Sequence, residues 1–274
     1  MSRLMNHIFK IAAGMALAIG IDTSAQAAMM FTVNPAAIGV TGSTAASFSA
    51  ISITGNSSEL LHTIYNSSQV ATGHTGAGFI KYSHFGDDEF NNFSTSDSYH
   101  TGYFLYILFQ FAETLGVAPR PLSTNESTLT SLTYQMYADI GANNVFRRAS
   151  VDGTGTEANV TLVGSDILLG TGSMLSGTSI FTANNGAALD VSTTFIQTDA
   201  GKAFFPSPVQ FFSATHNAFV NTANGASFNQ DASLISINNA GGVTTFEYVV
   251  PEPTSIALLG LGLLALGVRG RRKY

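Results

Sequence analysis

Alternation of apolar and polar residues with period two is the feature that most constrains what this chain can fold into. Residues 132–138 show it most clearly, with Leu132, Tyr134, Met136 and Ala138 on one face. Further alternating stretches, rich in β-branched or aromatic residues, lie at 76–85, 158–163, 166–169, 189–195, 234–237 and 243–250. No segment between residues 28 and 250 keeps a helical period for long, so the pattern predicts an all-β body.

Turn-forming Asp, Asn and Gly residues separate the alternating stretches. They cluster at 87–88, 141–144, 152–155, 184–186, 224–225 and 238–242. Many short strands at short spacing favour a single antiparallel β-sandwich domain over residues 28–249.

The run at 102–112 is apolar without alternation, and two interpretations stay open. It forms either a strand buried on both faces or the only helix of the body. Its aromatic and β-branched content favours the strand.

Residues 1–27 have the features of a secretory signal peptide. Arg3 and Lys10 flank its start, an apolar centre follows, and Ala25 and Ala27 form a small-residue cleavage site. We therefore expect export through the Sec pathway. Because the chain has no cysteine, its stability outside the cell must come from burial rather than from disulfides.

Residues 250–274 form a second segment that does not belong to the body. The prolines of Val250-Pro251-Glu252-Pro253 interrupt regular structure and leave an accessible peptide. A short hydrophobic helix is predicted after them; fifteen residues would span about 22 Å, against a hydrocarbon core of about 30 Å. This length fits transient insertion into the inner membrane better than a permanent anchor.

The chain ends in a basic tail. Its cations stay in the cytoplasm by the positive-inside rule, which places the body outside the inner membrane. They are Arg269, Arg271, Arg272 and Lys273.

In its order of Pro-Glu-Pro turn, Leu/Gly/Ala helix and Arg-rich end, this terminal segment resembles the PEP-CTERM sorting signal of Gram-negative bacteria. The resemblance implies that an exosortase, a membrane protease, recognises the region of Val250, Pro251, Glu252 and Pro253 and cuts there. The protein would then be a substrate, delivered to the cell surface or the extracellular matrix.

The charge of the body excludes nucleic acid as a partner. Six of the 11 Lys and Arg residues lie in the two terminal segments, but only two of the 17 Asp and Glu residues do. Residues 28–250 therefore hold 5 bases and 15 acids, a net charge of −10. Such a surface repels nucleic acid and anionic lipid, which are bound mainly through Lys and Arg.

Two groups of residues could ligate metals. His62, His74, His84 and His100, with the acidic residues 87–89, are suitable ligands, but their spacing matches no metal motif, so no metal or cofactor is predicted and their binding stays an open question. Oxygen donors for calcium gather in a second group, but without the regular register of a calcium loop they favour a polar hairpin loop. They are Asp139, Asn143, Asn144 and Asp152.

Signs of catalysis are weak, so the protein is predicted not to be an enzyme. The chain has no Gly-x-Ser-x-Gly motif, and His216 has no evident acidic partner in the sequence. Exposed aromatics near polar loops could stack on sugars, although Trp is absent. These candidates are Tyr65, Tyr82, Phe90, Phe93, Tyr99 and Tyr103.

The body is similar to the flocculation-associated PEP-CTERM proteins, through residues 31–35, 101–106, 166–173, 204–212 and 237–242. The resemblance implies a non-catalytic surface or matrix protein without a cofactor, which promotes cell aggregation, as flocculation or biofilm, with extracellular polysaccharide. A dedicated glycan-binding module and an enzyme of unknown activity remain the alternatives.

Overall fold

The computed structural model describes residues 29–86, 92–93, 102–115, 125–164, 166–181, 186–209, 211, 213–220 and 225–247. The predicted signal peptide and residues 250–274 lie outside these ranges, so both boundaries stay predictions. The strands are β1 (Phe31–Val33), β2 (Phe48–Ala50), β3 (Ser52–Tyr65), β4 (Ala71–Gly86), β5 (Asn92–Phe93), β6 (Tyr103–Leu115), β7 (Asn125–Ile140), β8 (Val145–Arg147), β9 (Asn159–Thr161), β10 (Asp166–Phe181), β11 (Ala187–Thr194), β12 (Ile196–Gln197), β13 (Ser213–Val220), β14 (Ala226–Phe228) and β15 (Leu234–Glu247). The described helices are α1 (Asp199–Phe204) and two 3-10 turns, Pro35–Ile38 and Gly42–Ala45.

Eight strands form a closed antiparallel barrel. β3, β4, β6, β7, β10, β11, β13 and β15 each pair with the next of these strands along the chain. β15 then pairs with β3, from Leu234↔His62 to Thr245↔Ser52, which closes the ring. The all-β, antiparallel prediction is confirmed.

The predicted β-sandwich is not confirmed, because the sheet closes on itself as a barrel. Alternation shows which side chains share a face, and that pattern is the same in a sandwich and in a barrel. What separates the two is the pairing of the first long strand with the last, which leaves no periodic signal in the sequence. Closure satisfies the backbone groups that an edge strand would expose.

Alternate side chains of each barrel strand point inward and form the main core. The predicted face of β7 is confirmed, since Leu132, Tyr134, Met136 and Ala138 are all buried. Bulky apolar side chains from the other barrel strands complete the packing. They include Ile53, Leu61, Ile80, Ile107, Phe111, Val191, Ile235 and Ile237.

Aromatic rings pack over the end of the barrel at which β6 begins and β15 ends. Phe31, Phe195, Phe205, Phe211 and Phe246 have ring centroids 4.7–6.3 Å apart. Most of these contacts are edge-on or tilted, the arrangement that aromatic quadrupoles favour. The N-terminal segment and the region around α1 thus cap this end.

The connection between β7 and β10 covers part of the outer surface. The Phe146 ring of β8 contacts Phe79, Phe104 and Tyr106 on the outer face of β4 and β6. The backbone N–H of Ala149 donates to Ser58 of β3 at 2.9 Å. Because the barrel core covers its other face, the first half of β6 is buried on both sides. The strand interpretation of 102–112 is confirmed.

The turn predicted at 238–242 is wrong, because these residues lie inside the single long strand β15. A register shift between Asn238 and Ala240 accommodates the polar residues, and Asn239 adopts a left-handed φ of 59°. Asn tolerates this conformation better than most residues. The strand expected at 158–163 is shorter, at Asn159–Thr161.

Candidate functional site

The interior of the barrel holds polar side chains that could carry out chemistry. Glu59 of β3 points inward at 8% exposure, and its Oε2 has no hydrogen-bond partner in the structure. The hydroxyl of Ser57 on the same strand is also buried without a partner. Burial raises the pKa of Glu59 from 4.5 to about 7, because the charged form loses its hydration.

The space beside Glu59 is small. Two cavities of about 20 and 30 Å³ share Glu59, Leu189 and Ala218 in their walls. Each has room for a water molecule or two, and both expose mainly apolar surface. A sugar or other organic substrate does not fit beside this carboxyl group.

His216 lies in a second interior group and is held by hydroxyls. Its Nδ1 lies 2.9 Å from Thr244 Oγ1, and its Nε2 lies 3.3 Å from Thr193 Oγ1. The Tyr134 ring packs edge-on against it with centroids 4.9 Å apart, and the Tyr82 hydroxyl shares a 2.6 Å hydrogen bond with Thr244. Burial lowers the pKa of His216 to about 4, so the ring is neutral at physiological pH.

Glu113, His74 and Ser179 make a third buried group. Glu113 Oε1 lies 2.5 Å from His74 Nδ1, and its other oxygen accepts a hydrogen bond from Ser179. In a nucleophilic triad the histidine lies between serine and acid, where it removes the serine proton. Here the carboxylate lies between the other two, so His74 does not activate Ser179. The arrangement ties β4, β6 and β10 together instead.

A groove on the outer surface is larger, at about 600 Å³. His62 and Glu157 lie at one side, with Nε2 and Oε1 2.7 Å apart and both side chains about half exposed. Such an exposed ion pair contributes little to stability. Apolar surface from Ala77, Phe111, Ala112 and Ala158 lines much of the rest, together with hydroxyl and amide groups of four residues on β4, β6 and β7. They are Thr75, Gln110, Ser131 and Thr133.

The predicted histidine ligands do not come together. His62 is on the outside, His74 is inside with Glu113, and His84 Nδ1 bonds to Ser83 at 2.8 Å. His100 and residues 87–89 lie outside the described ranges. Within those ranges, no group of three or more His, Asp or Glu side chains is placed to hold a metal ion.

The predicted oxygen-donor loop is only partly assembled. The Asn144 N–H donates to Asp139 Oδ2 at 2.8 Å, and its side-chain amide donates to Asp166 Oδ2 at 3.0 Å. Asp152 bonds to Ser150 at 2.7 Å elsewhere in the connection. Sequence reasoning missed Asp166, which is distant along the chain but directly opposite Asp139 in the register of β7 and β10.

Most of the aromatic candidates for sugar stacking are not available. Tyr82 and Tyr103 are buried in the core, and Tyr65 is the exposed one, with its hydroxyl donating to the Asp231 carbonyl. Phe90 and Tyr99 lie outside the described residues, as does the side chain of Phe93. A hydrogen-bonding surface is therefore better supported than an aromatic platform.

Comparison with known families assigns a role to the C-terminal segment. Residues 249–273 match the family of the PEP-CTERM protein-sorting motif. The chain carries a PEP-CTERM sorting motif. The motif implies that the protein is exported and is processed by an exosortase. Its final location is then the cell surface or the space outside the cell.

The match covers Val250, Pro251, Glu252 and Pro253, together with the basic tail. The roles of these residues in recognition, and those of Ala25 and Ala27 in signal cleavage, stay predictions. Neither a curated protein nor a solved structure matched the chain. No helix within the described ranges is long and apolar enough to cross a membrane.

We predict that Glu59→Gln stabilises the protein at pH 8 and not at pH 4. With a folded pKa near 7 against 4.5 unfolded, the folded state holds a proton that the unfolded chain releases. Stability from Glu59 therefore falls as pH rises from about 4.5 to 7, by on the order of 3 kcal/mol. Glutamine is neutral throughout and removes this loss.

Urea denaturation of both proteins between pH 4 and 8 measures the difference. His216 acts in the opposite sense: with its pKa lowered to about 4, its stability is lost as pH falls from 6.5 towards 4. Because both proteins contain His216, its effect cancels in the difference between them.

Glu126→Gln, at an exposed position of β7, is the matched control and should show no such pH-dependent gain. A Glu59→Gln difference that is constant with pH contradicts the assignment.

Proposed function

We propose that this protein is a non-catalytic surface or matrix protein that promotes cell aggregation, as flocculation or biofilm, by binding extracellular polysaccharide. The sorting motif supplies the coarse part, export and exosortase processing. The aggregation role is supported by the resemblance of the body to flocculation-associated proteins and by the character of the outer surface of the barrel.

The observation that carries the proposal is an exposed, uncharged face on four adjacent strands. Register pairing aligns Ala77, Gln110, Thr133 and Ser173 in one row across β4, β6, β7 and β10. A second row aligns Thr75, Ala112 and Ser131. We call these seven residues the polar face.

The polar face is better suited to bind a polysaccharide than to bind an apolar protein surface or a charged polymer. Its hydroxyl and amide groups can donate and accept hydrogen bonds along an extended chain of sugar hydroxyls. It carries no ionisable side chain of its own. Neighbouring strands are about 4.8 Å apart, so the rows offer repeated contacts rather than one deep pocket.

The lack of catalysis is part of the proposal. In the described part of the chain, the buried acids Glu59 and Glu113 face cavities of water size, and Ser179 bonds to Glu113 rather than to His74. Both features support a structural rather than a chemical role for these groups.

A dedicated glycan-binding module is the second candidate, favoured by the groove that six of the seven polar-face residues line. His62 and Glu157 give that groove a charged side, which a repetitive adhesive surface does not require. A module of this kind would bind a short oligosaccharide saturably, whereas an adhesive face would bind the long polymer through many weak contacts.

We predict that Gln110→Glu combined with Thr133→Glu weakens binding to polysaccharide purified from the producing cells. Two added carboxylates break the row and must lose hydration when the polymer binds. Binding is measured by co-sedimentation and by the settling of cells that carry the variant. Thr215→Glu with Asn217→Glu, on the outer face of β13, is the matched control.

We expect at least a tenfold loss for the polar-face variant and less than a twofold change for the control. Equal losses in both would attribute the effect to net charge and contradict the proposal. Saturable binding of a short oligosaccharide that His62→Ala abolishes would favour the glycan-binding module instead.

A second prediction concerns the sorting motif. Changing Pro251, Glu252 and Pro253 to Ala should leave the protein in the membrane fraction at higher mass, because the cleavage region is lost while the apolar helix and basic tail remain. Cell clumping should fall. Changing the adjacent Thr254 and Ser255 to Ala is the control.

Mass spectrometry of membrane and culture fractions gives the result. A Pro-Glu-Pro variant that is trimmed and released like the unaltered protein would show that this region does not direct processing. Retention of the variant in the membrane fraction without any fall in clumping would leave the sorting assignment intact and reject the aggregation role.

A further inference from the structure

Two aspartates lie side by side on the outside of the barrel, under the connection between β7 and β10. Asp139 and Asp166 are direct partners in the antiparallel register. Their side chains therefore leave the sheet on the same face, with Cβ atoms about 5 Å apart. Asp139 is fully buried, at 0% exposure.

Each carboxylate is held by one of its oxygens. Asp139 Oδ2 accepts the Asn144 N–H at 2.8 Å. Asp166 Oδ2 accepts the Asn144 side-chain amide at 3.0 Å and the Tyr106 hydroxyl at 2.7 Å. Asn144 thus bridges the two carboxylates and fixes how each is turned.

The remaining oxygen of each aspartate has no partner. Asp139 Oδ1 and Asp166 Oδ1 are both buried and make no hydrogen bond in the structure. A buried acceptor without a partner costs about 1–3 kcal/mol, and more when it is charged. Because both side chains lie on the same face of the sheet, a positively charged group bound by both oxygen atoms would remove this cost.

Lys81, whose charge acts on Asp139, does not pair with these oxygen atoms. The Lys81 ammonium lies 4.3 Å from the centre of the Phe104 ring and 4.8 Å from that of Phe146. Among the described residues, the ion pairs within 4 Å include neither Lys81 nor the two aspartates. Lys81 offsets part of the negative charge from a distance, and the two free oxygens stay unpaired.

We propose that Asp139 and Asp166 bind a calcium ion through their Oδ1 atoms. Carboxylate oxygens are hard ligands that suit calcium, whereas zinc and copper sites draw on imidazole or thiolate, which this cluster lacks. Water or backbone carbonyls complete the shell. The ion ties the start of β10 to the end of β7 and so holds the covering connection on the barrel.

The tyrosines of the cluster provide a direct probe. Tyr106 donates to Asp166, and its ring stacks on that of Tyr137 with centroids 5.2 Å apart. Tb³⁺ takes calcium sites and emits when an adjacent tyrosine is excited, and the chain has no Trp to obscure the signal. The exported protein, purified after EDTA treatment and dialysis, is titrated with Tb³⁺ and then with Ca²⁺.

We expect saturable emission that calcium displaces, with a Kd of about 0.1–1 mM as in other extracellular modules. Asp139→Asn and Asp166→Asn should each reduce the emission at least tenfold. Asp190→Asn, at an exposed acid of β11, should leave it unchanged. Calcium should also raise the melting temperature of the unaltered protein and of the Asp190 variant.

Three results would overturn the proposal. Equal emission from the unaltered protein and from Asp139→Asn would place the ion elsewhere. In the Glu59→Gln protein, whose stability no longer depends on the charge of Glu59, a melting temperature that does not change with calcium but falls as pH rises would mean that the two carboxylates share a proton instead. The third result needs only the unaltered protein, so it holds whether or not the variants fold. If that protein shows no saturable Tb³⁺ emission, and its melting temperature does not respond to calcium at about 10 mM, the site is excluded. This concentration is about ten times the weakest Kd expected.

Discussion

Backbone pairing between β3 and β15, the first and last long strands of the barrel, is the interaction on which the rest of the structure depends. It joins parts of the chain about 180 residues apart, and the side chains of Ser58 and Asn238 reinforce it with a 2.6 Å hydrogen bond. The same two side chains bind the backbone of Ala149, so the covering connection is attached at this junction as well. Closing so distant a pair is entropically costly, and the bonds of a full-length strand pair offset that cost.

Closure divides the polar residues of the chain into two groups with different consequences. Those that point inward, such as Glu59 and His216, are packed among apolar side chains, and burial shifts the pKa of both towards the neutral form. The polar face on β4, β6, β7 and β10 points outward and is an uncharged surface of mainly hydroxyl and amide groups. The inner groups therefore affect the free energy of unfolding, whereas the outer surface is the part that contacts other molecules. The sorting motif implies that this surface is exported, to the cell surface or outside the cell.

Local features of this fold are readable in the sequence because side-chain periodicity reports them directly. The inward face of β7 follows from alternation at Leu132 to Ala138, and β6 follows from its aromatic content. The sorting motif is equally legible, because its order of proline turn, apolar run and basic end is a local pattern. β3 escaped prediction because its inward positions include Ser57 and Glu59, which interrupt the apolar alternation.

Features that depend on distant pairing were beyond the reach of sequence reasoning. The Asn-Gly composition at 238–242 is typical of a turn, but pairing with β3, and of Gly241 and Gly242 with β13 as well, carries β15 through a bulge at Asn239 without a reversal of the chain. Asp166 was not associated with Asp139, because the two meet only through the register of β7 and β10. The polar face has the same origin, since its rows combine residues from four strands.

The absence of cysteine allows closure to be tested by a single engineered disulfide. Thr54 and Val243 are register partners on the outer side of β3 and β15, and replacing both with Cys places two thiols opposite each other. The barrel predicts that mild oxidation links them in the folded protein, as a mass shift in a peptide joining the two strands. Thr54→Cys with Asn217→Cys, one strand further round, should stay unlinked. Failure of the first pair to link in folded protein, or equal linking of both pairs, would contradict the closed barrel.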